Sequence, residues 1–428
     1  MERFLEVGRE AGFRQVDLRR LRANVLEWTS DGNGEVKETV GTIHTLSVRG
    51  FRDSGFPVGA CLSSPSIKAA RNVFRDLQRG AMPDSTPGFD HLLPTEARRL
   101  RLAIHDPQVL DADKLGEETA SRLCELMIRY ADVELVGWRL RLEERKVNVA
   151  NTRGFEAKYK KSLFSLYLKL RQGNNEVEVA EQRTHWLHIQ PDRLLGRGIF
   201  FLGARPGHPL PRKRGIRLVL SPFASATLLR DFAAVLRVSG EFAPRDIRCA
   251  PQVQIADCPL LDGMPGSVPM DDEGVMCLET ELVEGGRVQA RITDLAGAAR
   301  EGAAISGNGF RGDADPFPRA WFTNLCVRPS VISLERIMKE TGRGVLVTGL
   351  RLRGATGAER AYGANGYMFN GSDLGEPVHF SLRTAFLSYF LKIDRVSRES
   401  AATVSGGISV LSPYLSVEAE RRKDEWVV

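Results

Sequence analysis

Residues Ile216 to Val238 (IRLVLSPFASATLLRDFAAVLRV) carry two hydrophobic periods in succession. Ile216, Leu218 and Leu220 alternate with Arg217 and Val219, the period-2 pattern of a strand with a buried face. Ser221-Pro222 then offers a side-chain cap and a proline whose missing N–H costs nothing in a first helical turn. From there Phe223, Ala226, Leu229, Phe232, Ala233 and Leu236 recur at three- and four-residue steps, which predicts a helix with one apolar face over 222–237. Arg230, Asp231 and Arg237 fall off that face.

The same reading extends in both directions. Phe4 to Phe13 has helical spacing, and Gln15 to Ser30 alternates like a strand. Asp31-Gly-Asn-Gly34 is a hairpin turn signal before one or two strands over Glu35 to Arg49. Ser64 to Leu77 predicts a capped amphipathic helix with Ile67, Ala70, Val73, Phe74 and Leu77 inward. Arg79 to Glu96 is rich in proline and glycine and reads as an exposed loop. Glu117 to Ala131 predicts a helix with Leu123, Met127 and Ile128 on its core face. Val133 to Asn148 reads as a strand pair, and Asn151 to Phe155 as a turn into a strand over Ser162 to Leu170. Glu176 to Ile189 alternates again. The proline- and charge-rich run from Leu202 through Gly215 breaks any core pattern and is the expected domain boundary. The pattern thus predicts an α+β protein with an N-terminal domain (1–208) of strands packed with helices. A C-terminal domain (209–428) of mostly antiparallel strands follows.

Composition adds little that is specific. The chain has 428 residues, 42% hydrophobic and 27% charged, an ordinary globular balance. No apolar run is long enough to span a membrane and the first residues lack a signal-peptide layout, so a cytoplasmic location is expected. Six scattered cysteines without CxxC spacing predict reduced thiols. Of the 60 basic residues 48 are arginine, spread along the chain rather than gathered in a stripe, and the net charge is +6. The clusters Lys158-Tyr-Lys-Lys161 and Arg212-Lys-Arg214 are too short to track phosphates, so nucleic acid is not an expected partner. The C-terminal Arg421-Arg-Lys-Asp-Glu425 reads as a frayed, solvated end.

A strand, a Ser-Pro turn and a helix at mid-chain resemble the TldD/PmbA family of metallopeptidases. Further matches are Gly154-Phe155, Asp271-Asp-Glu-Gly-Val275 with the hairpin Glu281 to Val288, and Asn324 to Thr348. Tyr362 to Gly371, followed by Pro377-Val378, completes the set. The resemblance covers nearly all of residues 10–415 and is specific from Ile216 to Val378. It implies a helix over Asp192 to Leu202. In the catalytic branch the mid-chain helix carries His-Glu-x-x-x-His, two zinc ligands and a general base. On that register the three positions hold Arg230, Asp231 and Val235. Guanidinium has no free lone pair and valine no donor atom. A register error changes nothing, because no histidine lies between His208 and His379. The family's thiolate ligand near the C-terminus has no counterpart either: no cysteine follows Cys326, and the matching stretch is Ser405-Gly-Gly-Ile-Ser409.

The resemblance therefore implies the PmbA (TldE) branch, the non-catalytic subunit of a two-subunit zinc peptidase. Such a subunit would pair with a TldD-like catalytic homologue, bind no metal itself, and help enclose and hold an unfolded peptide. Zinc is expected on the partner. Arg230, Asp231 and Val235 either face the chamber or lie on the helix surface. Asn324, Arg343, Asn365 and Tyr367 are candidate chamber or substrate contacts. One alternative is a diverged stand-alone hydrolase acting on a peptide or amide-bearing metabolite; another is a nucleic-acid-associated regulator.

Other constellations read blandly. His185 and His188, three apart in a strand, would point to opposite faces and share no metal unless the segment is helical. Asp271, Asp272 and Glu273 lack EF-hand spacing and read as a solvated turn. No G-x-S-x-G elbow or phosphate loop occurs. The segment Gly302 to Pro318 departs from the family and suggests a specialised member.

Overall fold

Two sheets organise the chain in this computed structural model. The structure describes residues 1–31, 35–53, 57–63, 65–80, 89–96, 102–205, 207–211, 214–237, 248–313, 315–357, 359–385, 389–422 and 425–428. The N-terminal half runs α1 (Glu2–Glu10), β1 (Gln15–Ser30), β2 (Val36–Phe51), β3 (Pro57–Leu62), α2 (Ile67–Arg79), α3 (Ala112–Met127), β4 (Glu134–Asn151), β5 (Glu156–Gln172), β6 (Asn175–Arg183) and α4 (Pro191–Gly203). Its strands form one antiparallel sheet in the order β3-β2-β1-β4-β5-β6.

Period-2 alternation explains the layering. Val16, Leu18 and Trp28 in β1 share a face with Leu46 and Val48 in β2 and Leu140 and Leu142 in β4. That face meets α1 and α2 through Leu5, Ala70 and Phe74, and α3 and α4 through Leu123, Leu194 and Leu202. The alternate residues Asp17, Arg19 and Leu21 face the other way, toward the C-terminal half.

Several local expectations shift. Val133 to Asn148 is not a strand pair: it belongs to one unbroken 18-residue strand, Glu134–Asn151. Helix α3 starts at Ala112 and ends at Met127; Ile128, the C-cap, keeps helical dihedrals but is 82% exposed, while Leu123 and Leu126 form the buried face. Helix α2 is capped by Ser66, whose hydroxyl accepts from Ala69 N at 3.1 Å; Ser64 lies outside the described residues. So do residues 32–34 of the expected hairpin turn, although Ser30 pairs with Val36 across it. Residues 81–88 of the expected exposed loop are likewise outside, and beyond them Phe89 and Leu93 are buried against Phe51 and Leu295.

The C-terminal half contains β7 (His208–Pro209), β8 (Gly215–Leu220), α5 (Pro222–Ala233), β9 (Ile255–Asp257), β10 (Thr280–Glu284), β11 (Arg287–Val288), α6 (Leu295–Glu301), β12 (Gly309–Phe310), β13 (Arg319–Ala320), β14 (Asn324–Val327), α7 (Leu334–Thr341), β15 (Arg343–Thr356), β16 (Glu359–Asn370), β17 (Asp373–Ala385), β18 (Ile393–Ser405), β19 (Ile408–Arg422) and β20 (Glu425–Val427). Pairing runs β8-β15-β16-β17-β20-β19, and β19 also pairs with β8, so this part of the sheet closes on itself. Most pairs are antiparallel; β8–β15, β14–β19, β17–β20 and β7–β17 are parallel. The C-terminal end is not frayed, because β20 pairs with both β17 and β19 and buries Trp426 and Val428.

Helix α5 is the core of this half. The expected helix 222–237 ends at Ala233 and continues as a 3-10 turn over Ala234–Leu236, so Leu228, Leu229 and Phe232 of α5 and Val235 of that turn pack among Leu218, Leu220, Val345, Val347, Tyr362 and Leu415. Burial of α5 extends beyond one stripe, since Pro222, Ala224, Ser225 and Ala226 are buried too. Small side chains at 224–226 let strands approach on more than one side.

Buried charge joins the two halves. The turn Asp271-Asp-Glu-Gly274 is not solvated, and its three carboxylates are at most 3% exposed. Asp272 accepts from Arg19 Nε at 3.1 Å and from Arg311 N at 2.8 Å. Glu273 accepts from Arg49 at 2.9 Å and from Leu295 N at 2.7 Å. Arg49 also grips Asp17 through two bonds of 3.0 and 2.7 Å, and Arg311 reaches the same carboxylate at 2.7 Å. Burial pushes Asp17 up, but the guanidinium groups of Arg311 and Arg49 outweigh it and hold the carboxyl below its usual range. Gly274 has φ +84°, and a β-carbon there would lie 2.5 Å from the Phe155 ring. The Asn151–Phe155 turn, braced by Asn151 Oδ1 accepting from Arg153 N at 2.8 Å, thus docks on the acidic turn.

Candidate functional site

A cleft of about 1160 Å³ opens between the halves, and α5 forms part of its wall. Ser221 caps α5 by accepting from Ala224 N at 3.3 Å, and its hydroxyl donates to Thr348 O in β15 at 3.0 Å. Thr348 in turn donates to Asn365 O at 3.1 Å. These bonds seat the helix against β15 and β16, so that Phe223 and Thr227 face the cleft. The opposite wall comes from β4, β5 and β6, and α4 contributes Arg197 and Phe201.

The three zinc-motif positions diverge in environment. Val235 is fully buried in the core. Asp231 takes two bonds from Arg230, at 3.1 and 3.0 Å, and its other oxygen accepts from the Tyr362 hydroxyl. Burial and that carboxylate both push the Tyr362 phenol up. Arg230 packs its stem over Gly406: a β-carbon at 406 would lie 2.5 Å from Arg230 Cδ, and Gly406 itself has φ +57°. The fold therefore brings the helix position and the C-terminal Ser405–Ser409 stretch together, with a guanidinium and a glycine at the meeting point. A guanidinium, a carboxylate already held by two partners, a buried isopropyl group and a glycine do not make a zinc donor set. Among the described residues no group of three or more His, Cys, Asp or Glu is placed to hold a metal.

The candidate contact residues scatter. Asn365 lines the cleft. Tyr367 lies instead between the halves: its hydroxyl donates to Phe200 O at 2.8 Å and its ring stacks on Phe200. Arg343 lines a separate recess of about 240 Å³ with Thr341, Met368 and Glu418. Asn324 is fully buried, accepting from Gly266 N at 3.0 Å and donating to Cys258 O and the Ser267 hydroxyl. His185 and His188 are not split across a strand. Strand β6 ends at Arg183 and a 3-10 turn at Trp186–His188 follows, which brings the rings within 6.0 Å.

Pattern reading missed the charge of the cleft. It is lined by Arg139, Arg141, Arg197, Arg205, Arg351 and Arg353, against Glu178 and Glu181. β15 has a bulge between Leu352 and Gly354, and Arg353 lies over Gly363, the cross-strand partner of Arg351, so both arginines reach the cleft. Burial and the nearby Arg351 both push the Arg205 guanidinium down. Spread through sequence and counted as composition, these arginines gave no local signal.

Residues 248–419 match the family model of the PmbA/TldA metallopeptidase C-terminal domain. A metalloprotease of Methanocaldococcus jannaschii is 24% identical over 156 residues, 36% of this chain and 34% of that protein. A metalloprotease of Methanothermobacter thermautotrophicus is 31% identical over 121 residues, 28% of this chain and 25% of that protein. The match thus spans about a third or less of these relatives. Whole-chain likeness is structural. TldE from Thermococcus kodakarensis superposes with a TM-score of 0.80 at 18% identity, covering 98% of both chains. A Thermotoga maritima protein described as a candidate modulator of a DNA gyrase gives 0.81 at 19%, covering 97% of both. No helix among the described residues is long and apolar enough to cross a membrane. The C-terminal part of the chain is thus similar to the PmbA/TldA metallopeptidase C-terminal domain, and the chain as a whole has the fold of the TldE and Thermotoga maritima structures.

Proposed function

We propose that this protein is the non-catalytic, PmbA/TldE-like subunit of a TldD/PmbA-type zinc peptidase. It pairs with a TldD-like catalytic homologue, and its cleft helps enclose and hold an unfolded peptide for proteolysis or maturation. Metal, general base and activated water belong to the partner. The observation that carries this reading is the fate of the zinc-motif helix. The fold and most of the helix are kept, while the three motif positions are an arginine packed over Gly406, a tyrosine-bound aspartate and a core valine in the turn after the helix. Asp231 is unsuited to general-base work, since both oxygens already accept hydrogen bonds.

Zinc content and peptidase activity of the purified chain test the proposal, alone and co-expressed with its TldD-like neighbour. A metal-free, inert chain that forms an active, zinc-bearing complex is the expected result. About one metal per isolated chain, with peptide hydrolysis unaided, would overturn it in favour of a stand-alone hydrolase.

A further inference from the structure

Charge in the cleft is unbalanced in a way the holding role alone does not require. Its two carboxylates are already engaged: Glu181 pairs with Arg183 at 2.7 Å, and Glu178 is hydrogen-bonded to the Tyr167 hydroxyl. Arg141 is paired as well, with Glu27 and Glu143 at 3.5 and 3.6 Å. Arg197, Arg205, Arg351 and Arg353 have no ion-pair partner among the described residues. Arg205 and Arg351 are close enough to repel one another. Four guanidinium groups in one cleft, with only Glu181 near Arg197 to offset them among the described residues, make a surface that attracts anions.

Peptide carboxylates suit this site better than nucleic-acid phosphates. Single strands are held by free aromatic faces on which bases stack. Here two of the lining aromatic faces, Phe223 and Tyr167, are taken. Arg197 lies over Phe223 at 4.4 Å from its centroid, Phe201 packs edge-on against the same ring at 5.3 Å, and Arg139 covers Tyr167 at 5.4 Å. Between the arginines the lining mixes aliphatic side chains, Leu166, Val177 and Val179, with polar ones, Asn175, Gln182 and Asn365. That is a surface for peptide side chains and backbone.

We propose that the cleft selects acidic peptide segments, with Arg351 and Arg353 on β15 and Arg197 and Arg205 opposite reading their carboxylates. This rests on the peptide-holding reading above and names its substrate class. The test is fluorescence anisotropy of the full chain, alone and in complex with its TldD-like partner. The probes are a short labelled peptide with glutamate at alternate positions, its glutamine isostere, and a single-stranded oligonucleotide of equal charge. The glutamate peptide is expected to bind about tenfold tighter than the glutamine one, equivalent to about 1.4 kcal/mol. That advantage should shrink as salt rises from about 0.05 to 0.3 M. The double variant R351Q/R353Q, at exposed positions, should erase the glutamate-over-glutamine ratio and melt at the wild-type temperature. Equal binding of the two peptides overturns acid selection but leaves peptide holding standing. Tighter binding of the oligonucleotide overturns it in favour of nucleic acid. Binding of neither peptide, by chain or complex, overturns both readings.

Discussion

Replacing Arg49 with methionine tests whether buried charge holds the two halves together. Arg49 has 2% of its side chain exposed and makes three hydrogen bonds of 2.7–3.0 Å, two to Asp17 and one to Glu273. Its guanidinium also lies 5.2 and 5.1 Å from the Phe51 and Phe89 ring centroids. Methionine keeps the stem between those rings and removes only the charge. An ion pair about 4 Å apart at an effective dielectric of about 20 is of order 4 kcal/mol, most of it offset by desolvation when the pair forms. Removing one member strands the other. Asp17 would keep Arg311 at 2.7 Å, but Glu273 would keep only the Leu295 N–H. R49M is therefore expected to cost about 3–5 kcal/mol, a large share of a stability of about 5–15 kcal/mol. Urea denaturation of the full chain measures it. E273Q in the R49M background should recover part of the loss, with a coupling of about 1–3 kcal/mol. A loss under about 0.5 kcal/mol, the scale of an ordinary surface substitution, would refute the reasoning. So would strict additivity of the two changes.

Three further outcomes follow from the same structure. D231A should leave the buried Tyr362 hydroxyl without its acceptor and cost about 1–3 kcal/mol; D231A/Y362F should regain most of it, and zinc content of the partner complex should not change in either variant. Asp257 is fully buried, and burial raises its carboxyl to about 7 despite bonds from Asn308 and Thr323. Its native pKa thus exceeds the unfolded value of about 3.9, the native state binds more protons between these values, and this group's contribution to stability falls as pH rises through that window. The urea midpoint of wild type should therefore lose more than that of D257N between about pH 5 and 7.5; equal losses would refute it. Trp426, 4% exposed, pins the last strand, so W426A should cost about 3–5 kcal/mol in the same denaturation assay, whereas a frayed end would give a negligible change.

Local pattern settled a good deal by itself. The alternation of Gln15 to Ser30 is a strand with those bounds, and Ser221-Pro222 starts α5 where the cap and proline require. Identity of side chains also determined that Arg230 and Val235 offer zinc no donor, since that chemistry holds in any fold. What alternation could not say was what lay opposite each face. Asp17 and Arg19 occupy the inward positions of β1 and Asp271 to Glu273 look like a polar turn, because each is polar in isolation. Only the packing of the halves, more than two hundred residues apart in sequence, makes them one another's counter-ions. The same holds for the cleft. Arg197, Arg205, Arg351 and Arg353 are single charges along the chain, and their convergence belongs to the closure of β15–β17 against α4. Sequence carries the chemistry of each group, and tertiary structure sets its dielectric and its neighbours. Those two terms decide whether a charge is surface decoration, a buried tie or part of a binding site.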